Sequence, residues 1–283
     1  MAVTNYHWFT FLSLIAVIIT YDLWRFYRSP HIISMREAIY TSIGWIFLAF
    51  AFNGWILYRF GYEHALDFFT GYLLEKSLSV DNLFVFLLLF SYFKVPEKAK
   101  HQVLFYGVLG AIVMRALLIW GGLALIENFN WMFIVFGVFL IFTGFKLIKK
   151  QEKEIILEER FLYRTLKKYI PFTPHFHESF FFIKEKGKWI ATPLFILLIM
   201  IELTDLIFAL DSIPAILGIT TEPFIVFTSN IFAILGLRAL FFVLEGFMQS
   251  FYLLHYALAF ILIYIGCKMM LIYWIHIPTW ITL

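Results

Sequence analysis

The stretch "LEKSLSVDNLFVF" sets Glu75, Lys76 and Asp81 inside a run that is otherwise apolar, and "IELTDLIFALDSIPAI" does the same with Glu202, Asp205 and Asp211. The ligand chemistry on offer is almost entirely oxygen, from Glu75, Asp81, Asn82, Asp205, Asp211 and Ser212, and no His or Cys falls in either stretch. Oxygen-rich sets suit hard or borderline divalent cations such as Mn²⁺, Mg²⁺ and Ca²⁺ rather than copper or zinc. Two arginines, Arg115 and Arg238, lie well inside apolar runs downstream and are candidates for gating or ion pairing. Glu75, Asp81, Asp205 and Asp211 against these two arginines leave two negative charges, which a divalent cation would neutralise. Acids inside spans cost about 2.5–3.5 kcal/mol each on insertion scales, which argues for use rather than accident. The plainer alternative is that "SVDN" and "LDSIP" are cap or turn motifs whose carboxylates only accept N–H bonds.

These residues need a scaffold, and the composition says it stands in lipid. The 283 residues are 62% hydrophobic and only 14% charged, where a soluble domain carries about a quarter. The sequence therefore predicts an all-α polytopic membrane protein with no prosthetic group. Apolar windows of about 20 residues fall near residues 5–24, 37–59, 64–93, 102–126, 129–148, 189–218, 222–244 and 251–275. The first lacks a charged leading region and a small-residue cleavage site, so it reads as a retained span. The one sizeable connection, residues 149–188, reads as a helix followed by a small hairpin, and is the segment best suited to binding protein partners. Lysines and arginines cluster after the first span, after the third and through that long loop, which places those ends in the cytoplasm and both termini outside. A net charge of +3 held in short loops gives nucleic-acid binding no support. Cys267, the single cysteine, excludes an internal disulfide and reads as a small buried hydrophobe. The "HFH" at 175–177 has metal-compatible spacing but reads as loop surface.

A repeat runs through the chain. "EKSLSVDNLFVF" aligns with "DLIFALDSIPAI", setting Glu75 over Asp205 and Asp81 over Asp211; "VMRALLIW" aligns with "GLRALFFV", setting Arg115 over Arg238; and "TGFKLI" aligns with "IGCKMM", setting Lys146 over Lys268. The third to fifth spans thus return as the sixth to eighth. Three is odd, so the copies must cross in opposite senses, the inverted-topology repeat of many secondary transporters. The organisation expected is two N-terminal helices (1–62), a three-helix repeat (63–148), the loop (149–188), a second repeat (189–275) and a tail (276–283). On a regular helix Glu75 shares a face with Ser79 and Asn82, and Asp205 with Glu202 and Ser212. Asp81 and Asp211 join those faces only where the helix unwinds, and Pro214, which lacks an N–H for the Leu210 carbonyl, is expected to kink it there.

"SLSVDNLFVF" followed by "TPLFILLIMIELTDLIFALDSIPAI" resembles the TerC family of integral membrane proteins, over nearly the whole chain. The resemblance implies a bacterial inner-membrane protein linked to tellurite resistance and to manganese export. It places the family's acidic motif on Asp81, Asn82, Asp211 and Ser212, within surroundings that hold Glu75, Glu202 and Asp205. The expected substrate is Mn²⁺, with Ca²⁺ an alternative of the same ligand chemistry, exported by alternating access. Two other classes stay open: a scaffold that docks proteins through residues 149–188, and an exporter of small amphipathic solutes that would use the arginines to hold a carboxylate.

Overall fold

A computed structural model describes residues 3–28, 34–129, 131–149, 173, 180–185, 188–245 and 254–271. Within them the chain forms α1 (Asn5–Arg28), α2 (Met35–Phe60), α3 (Tyr62–Phe93), α4 (Glu97–Asn128), α5 (Met132–Lys149), a hairpin of β1 (Phe182–Glu185) and β2 (Lys188–Ala191), α6 (Pro193–Leu217), α7 (Pro223–Leu235), α8 (Leu237–Glu245) and α9 (Leu254–Met270). The hairpin matches the expected one; the helix expected before it, the "HFH" run and the C-terminal tail lie outside the described residues.

Local signals set the ends. Ser34 caps α2, its hydroxyl accepting the Glu37 N–H, with Glu37 in the third position of a capping box. Gly61 turns α2 directly into α3 at φ 93°, a left-handed conformation that a side chain would strain. Lys94 closes α3 in the left-handed region just ahead of Pro96. Pro193 and Pro223 open α6 and α7, where a missing N–H costs nothing.

α2, α4 and α6 are each long and apolar enough to cross a membrane, and α7 and α8 together make a further span bent by 41°. α5 and α9 hold shorter apolar stretches, Met132–Phe145 and Ala259–Met270. An aromatic cluster ties the N-terminal pair to the rest: Phe52 of α2 lies 4.9 Å, centroid to centroid, from Phe232 of α7 and 5.5 Å from Phe68 of α3. Phe11 of α1 packs on Phe52 and Phe232.

Helix directions follow from close approaches. Gly71 of α3 backs onto Ser229 of α7, and five residues on Lys76 reaches Ala233 and Gly236, so α3 and α7 run parallel. Gly107, Gly110 and Gly122 of α4 meet Ile201, Glu202 and Leu217 of α6 in order, so that pair is parallel too. α3 and α6 run antiparallel, since Gly71 meets Ile216 whereas Asn82 meets Asp205. α5 and α9 are also antiparallel: Gly137 lies against Gly266 and Gly144 against Ala259, where a Cβ would stand 2.7 and 2.8 Å from backbone oxygens.

Two sequence expectations change here. The α6 helix runs through Pro214 to Leu217 without interruption, because the proline stands in the last turn and forfeits a single bond; the Pro214 carbonyl still accepts the Gly218 N–H at 3.0 Å. The break comes instead at Gly236, between α7 and α8 of the bent pair. Lys76 explains its position: its ammonium donates to the Ala233 carbonyl at 3.1 Å, satisfying a terminal acceptor of α7 and opposing the negative end of that helix. A side chain at Gly236 would collide with it, since an ideal Cβ there stands 2.7 Å from Lys76 Nζ. Cys267 is exposed rather than buried. Gly266 beside it makes the contact with α5, and the next position turns outward.

Candidate functional site

Because α3 stays helical from Tyr62 to Phe93, Glu75, Ser79 and Asn82 fall on one face, and all three are buried. The equivalent face of α6 carries Asp205 and Ser212, also buried. α4 lies against α6 and brings Arg115, whose side chain is fully enclosed, to both acids. Its guanidinium ion-pairs with Glu75 through Nη1 and grips Asp205 with two bonds, Nη2 to Oδ1 at 3.0 Å and Nε to Oδ2 at 3.2 Å. Asn82 donates to the same Oδ1 from 3.4 Å. A guanidinium fork on a carboxylate is the strong form of charged hydrogen bond, and in a dry interior it replaces the water each charge has lost.

The antiparallel register of α3 and α6 brings Ser212 level with Glu75, as Asn82 is level with Asp205. The sequence alignment sets Ser212 over Asn82. The hydroxyl of Ser212, the hydroxyl of Ser79 and Oε2 of Glu75 are buried with no hydrogen-bond partner among the described residues. Left without a partner, each such oxygen would cost about 1–3 kcal/mol. Among the described residues no three His, Cys, Asp or Glu side chains gather as a metal-holding group, so the acids meet as a pair.

Glu202 stands one turn before Asp205, its carboxylate pressed against the bare backbone of Gly110. Asp211 is half-buried and Lys268 likewise, and both have partners. The side chains of Asp81 and Lys146 lie outside the described residues, although their backbones are helical. The Arg238 guanidinium lies 5.8 Å from the centre of the Phe105 ring, in a niche with Ile18, Trp45 and Leu235. Glu75, Asp205 and Arg115 leave a single negative charge. Pro214 and Leu210 line a different space, an apolar cavity of about 410 Å³ with Gly121, Gly122 and Phe136.

Sequence reasoning misses two participants. Lys76 sits beside Glu75 with no role assigned to it, though a lysine inside a span always needs an acceptor, and that need is the signal that could have found it. Gly110 carries no signal, since its role depends on which side chain faces it.

The chain is similar to known membrane proteins along nearly its whole length. The sequence model of the integral membrane protein TerC family matches residues 60–283. An uncharacterized membrane protein of Myxococcus xanthus is 45% identical over 276 residues, 98% of this chain and 86% of that protein. A protein of Escherichia coli K12 named "Putative membrane-bound redox modulator Alx" is 45% identical over 285 residues, covering 98% and 89%. An uncharacterized membrane protein of Rickettsia felis is 41% identical, covering 98% and 92%. No solved structure matches.

Proposed function

The chain belongs to the TerC family of integral membrane proteins, and from that premise we propose that it moves a divalent cation, Mn²⁺ in the first place, across the inner membrane of a bacterium by alternating access.

The observation that carries this reading is the sharing of one guanidinium by Glu75 and Asp205, the acids that the sequence alignment sets over each other, among oxygens with no hydrogen-bond partner among the described residues. The helix directions support the inverted repeat. Exchanging α3 with α6, α4 with the α7–α8 pair and α5 with α9 turns each parallel or antiparallel pair into another of the same kind. It also turns the Gly137 to Gly266 approach into that of Ala259 to Gly144. In such folds the substrate sits where the repeats meet, at mid-membrane. A cation entering beside Glu75 would draw on its free Oε2, on Ser79 and Ser212, and on Asn82, and would compete with Arg115 for the two carboxylates. With the guanidinium turned away the pair carries two negative charges, matched to a divalent ion. With the ion gone Arg115 returns, so neither state leaves bare charge in low dielectric. Asp81, Glu202 and Asp211 remain further carboxylate ligands in this reading.

Redox modulation, part of some relatives' name, has no internal dithiol to run on here, since Cys267 is the only cysteine. The scaffold alternative makes the opposite demand of mutagenesis. Protein reconstituted in liposomes around a Mn²⁺-quenched dye tests both. Wild type is expected to quench, and Glu75→Gln and Asp205→Asn to stay at the level of empty liposomes. Quenching by both variants at the wild-type rate would remove the acids from transport, and if loss of residues 150–172 then abolished function in cells, the scaffold would be the better account.

A further inference from the structure

The repeat makes a prediction that the structure breaks. By the alignment that sets Arg115 over Arg238, Gly110 of α4 corresponds to Ala233 of α7; by the one that sets Glu75 over Asp205, the α6 segment around Glu202 corresponds to the α3 segment around Tyr72. The crossing of α4 with α6 and the crossing of α3 with α7 are therefore the same crossing seen twice, once in each half. Both are tight and both run parallel. At the first, the carboxylate of Glu202 lies on Gly110. At the second, the ammonium of Lys76 lies on Ala233, bound to its carbonyl and seated beside Gly236. Two equivalent places thus hold opposite charges.

We infer that these two places set the route of the cation: it passes between α4 and α6 along Glu202 and Gly110, while Lys76 bars the equivalent passage between α3 and α7. The inference rests on the transport reading and adds residues to it. Glu202 lies one turn from Asp205 toward the start of α6, the end at which the hairpin sits, since Thr192 next to Pro193 donates to Phe181 and Phe180 and Tyr106 of α4 packs on Phe181. Its Oε2 is buried without a hydrogen-bond partner among the described residues. A cation moving from that end toward Glu75 and Asp205 meets an unspent carboxylate oxygen one turn early, at a point where glycine leaves room for it. A cation trying the other crossing meets a fixed positive charge with its head tied to a helix end and set against a glycine. The break at Gly236 also exposes carbonyls, which would attract cations if nothing held them. Lys76 holds one of them.

Gly110 is the sharpest handle, because the three atoms nearest an added methyl there all belong to the carboxylate at the tip of Glu202, a flexible side chain. Gly110→Ala displaces that carboxylate and leaves the helices as they are. The same proteoliposomes, loaded with dye and given Mn²⁺ outside, provide the test, with each variant first shown monodisperse on gel filtration. Glu202→Gln and Gly110→Ala are expected to slow quenching by about tenfold each, the scale of losing one favourable charge contact. Added together they should slow it no further than either alone, since both remove the same carboxylate from the path. Lys76→Gln is expected to raise downhill flux several-fold and to let flux persist in Glu202→Gln, because the second passage opens. A purely capping Lys76 predicts the reverse, slower flux with reduced thermal stability. Independent, multiplying losses at Gly110 and Glu202, or a Lys76→Gln protein that only slows, would overturn the route while leaving transport through Glu75 and Asp205 intact. A wild-type protein that moves no Mn²⁺ would overturn the transport reading, and this route with it.

Discussion

Arg115 and Asp205 meet as fork and carboxylate, with Nη2 3.0 Å from Oδ1 and Nε 3.2 Å from Oδ2, and both side chains are shut away from the surface. Glu75 takes the remaining Nη1. One cation thus balances two acids that the sequence alignment sets over each other, and its removal leaves both in a medium in which neither is solvated.

Arg115→Gln should accordingly be among the most destabilising single changes in the membrane-embedded part, at about 3–5 kcal/mol, the cost of stranding a buried partner. The transport reading adds a signature: millimolar Mn²⁺ should raise the unfolding temperature of Arg115→Gln in detergent more than that of wild type, because the ion takes the vacated place. Equal shifts in the two proteins would show that Mn²⁺ does not compete with the guanidinium.

The acids should separate in severity. Glu75→Gln and Asp205→Asn should bring Mn²⁺ efflux to background, whereas Asp211→Asn, half-buried and not bound to Arg115, should retain about a tenth of the wild-type rate. Intracellular manganese measured by mass spectrometry in cells expressing each variant checks the order. An Asp211→Asn protein more impaired than Asp205→Asn would place the main ligand set one helical face away from the guanidinium.

Packing of α5 on α9 depends on bare backbone. Gly137→Val puts atoms where the Gly266 carbonyl oxygen already lies, 2.7 Å from an ideal Cβ, and should cost about 1–3 kcal/mol or more. Gly121→Ala has nothing within 4 Å of the new methyl and should be neutral or stabilise by up to about 1 kcal/mol through helix propensity. Thermal melts of the two purified variants give the comparison.

Gly61 offers a test of the turn between α2 and α3. At φ 93° a Gly61→Ala change should cost about 1–2 kcal/mol through backbone strain alone, since no neighbouring atom crowds the position. Gly54→Ala, equally uncrowded but inside α2, should not destabilise. Unfolding temperatures of the two variants measured side by side in one detergent check the difference.

Much of this protein is legible along the chain. Apolar runs locate the helices because lipid leaves the backbone no other partners than its own, and every window read from hydropathy centres on a described helix or on the bent α7–α8 pair. The faces are legible too. The 3.6-residue period puts Glu75 with Ser79 and Asn82, and Asp205 with Ser212, and the helices stay regular enough for it to hold. The repeat in the sequence announces equivalent acids and arginines, but equivalence in sequence does not decide which partner a side chain can reach. Arg115 finds both acids because α4 lies along α6 at the level of Asp205; Arg238, aligned with it in the sequence, sits just past a break at Gly236 with the Phe105 ring beside it. The sequence points to Pro214 for that break, as the stronger helix breaker, yet a proline in the last turn gives up one bond, whereas Gly236 stands where the ammonium of Lys76 comes through from α3. Whether a residue lies within reach of another across a helix crossing depends on register and separation between elements far apart in the chain. Those are fixed by close packing at glycines such as Gly71, Gly110 and Gly137, whose contribution is the absence of a side chain, and a composition or a period cannot say what comes to fill the space.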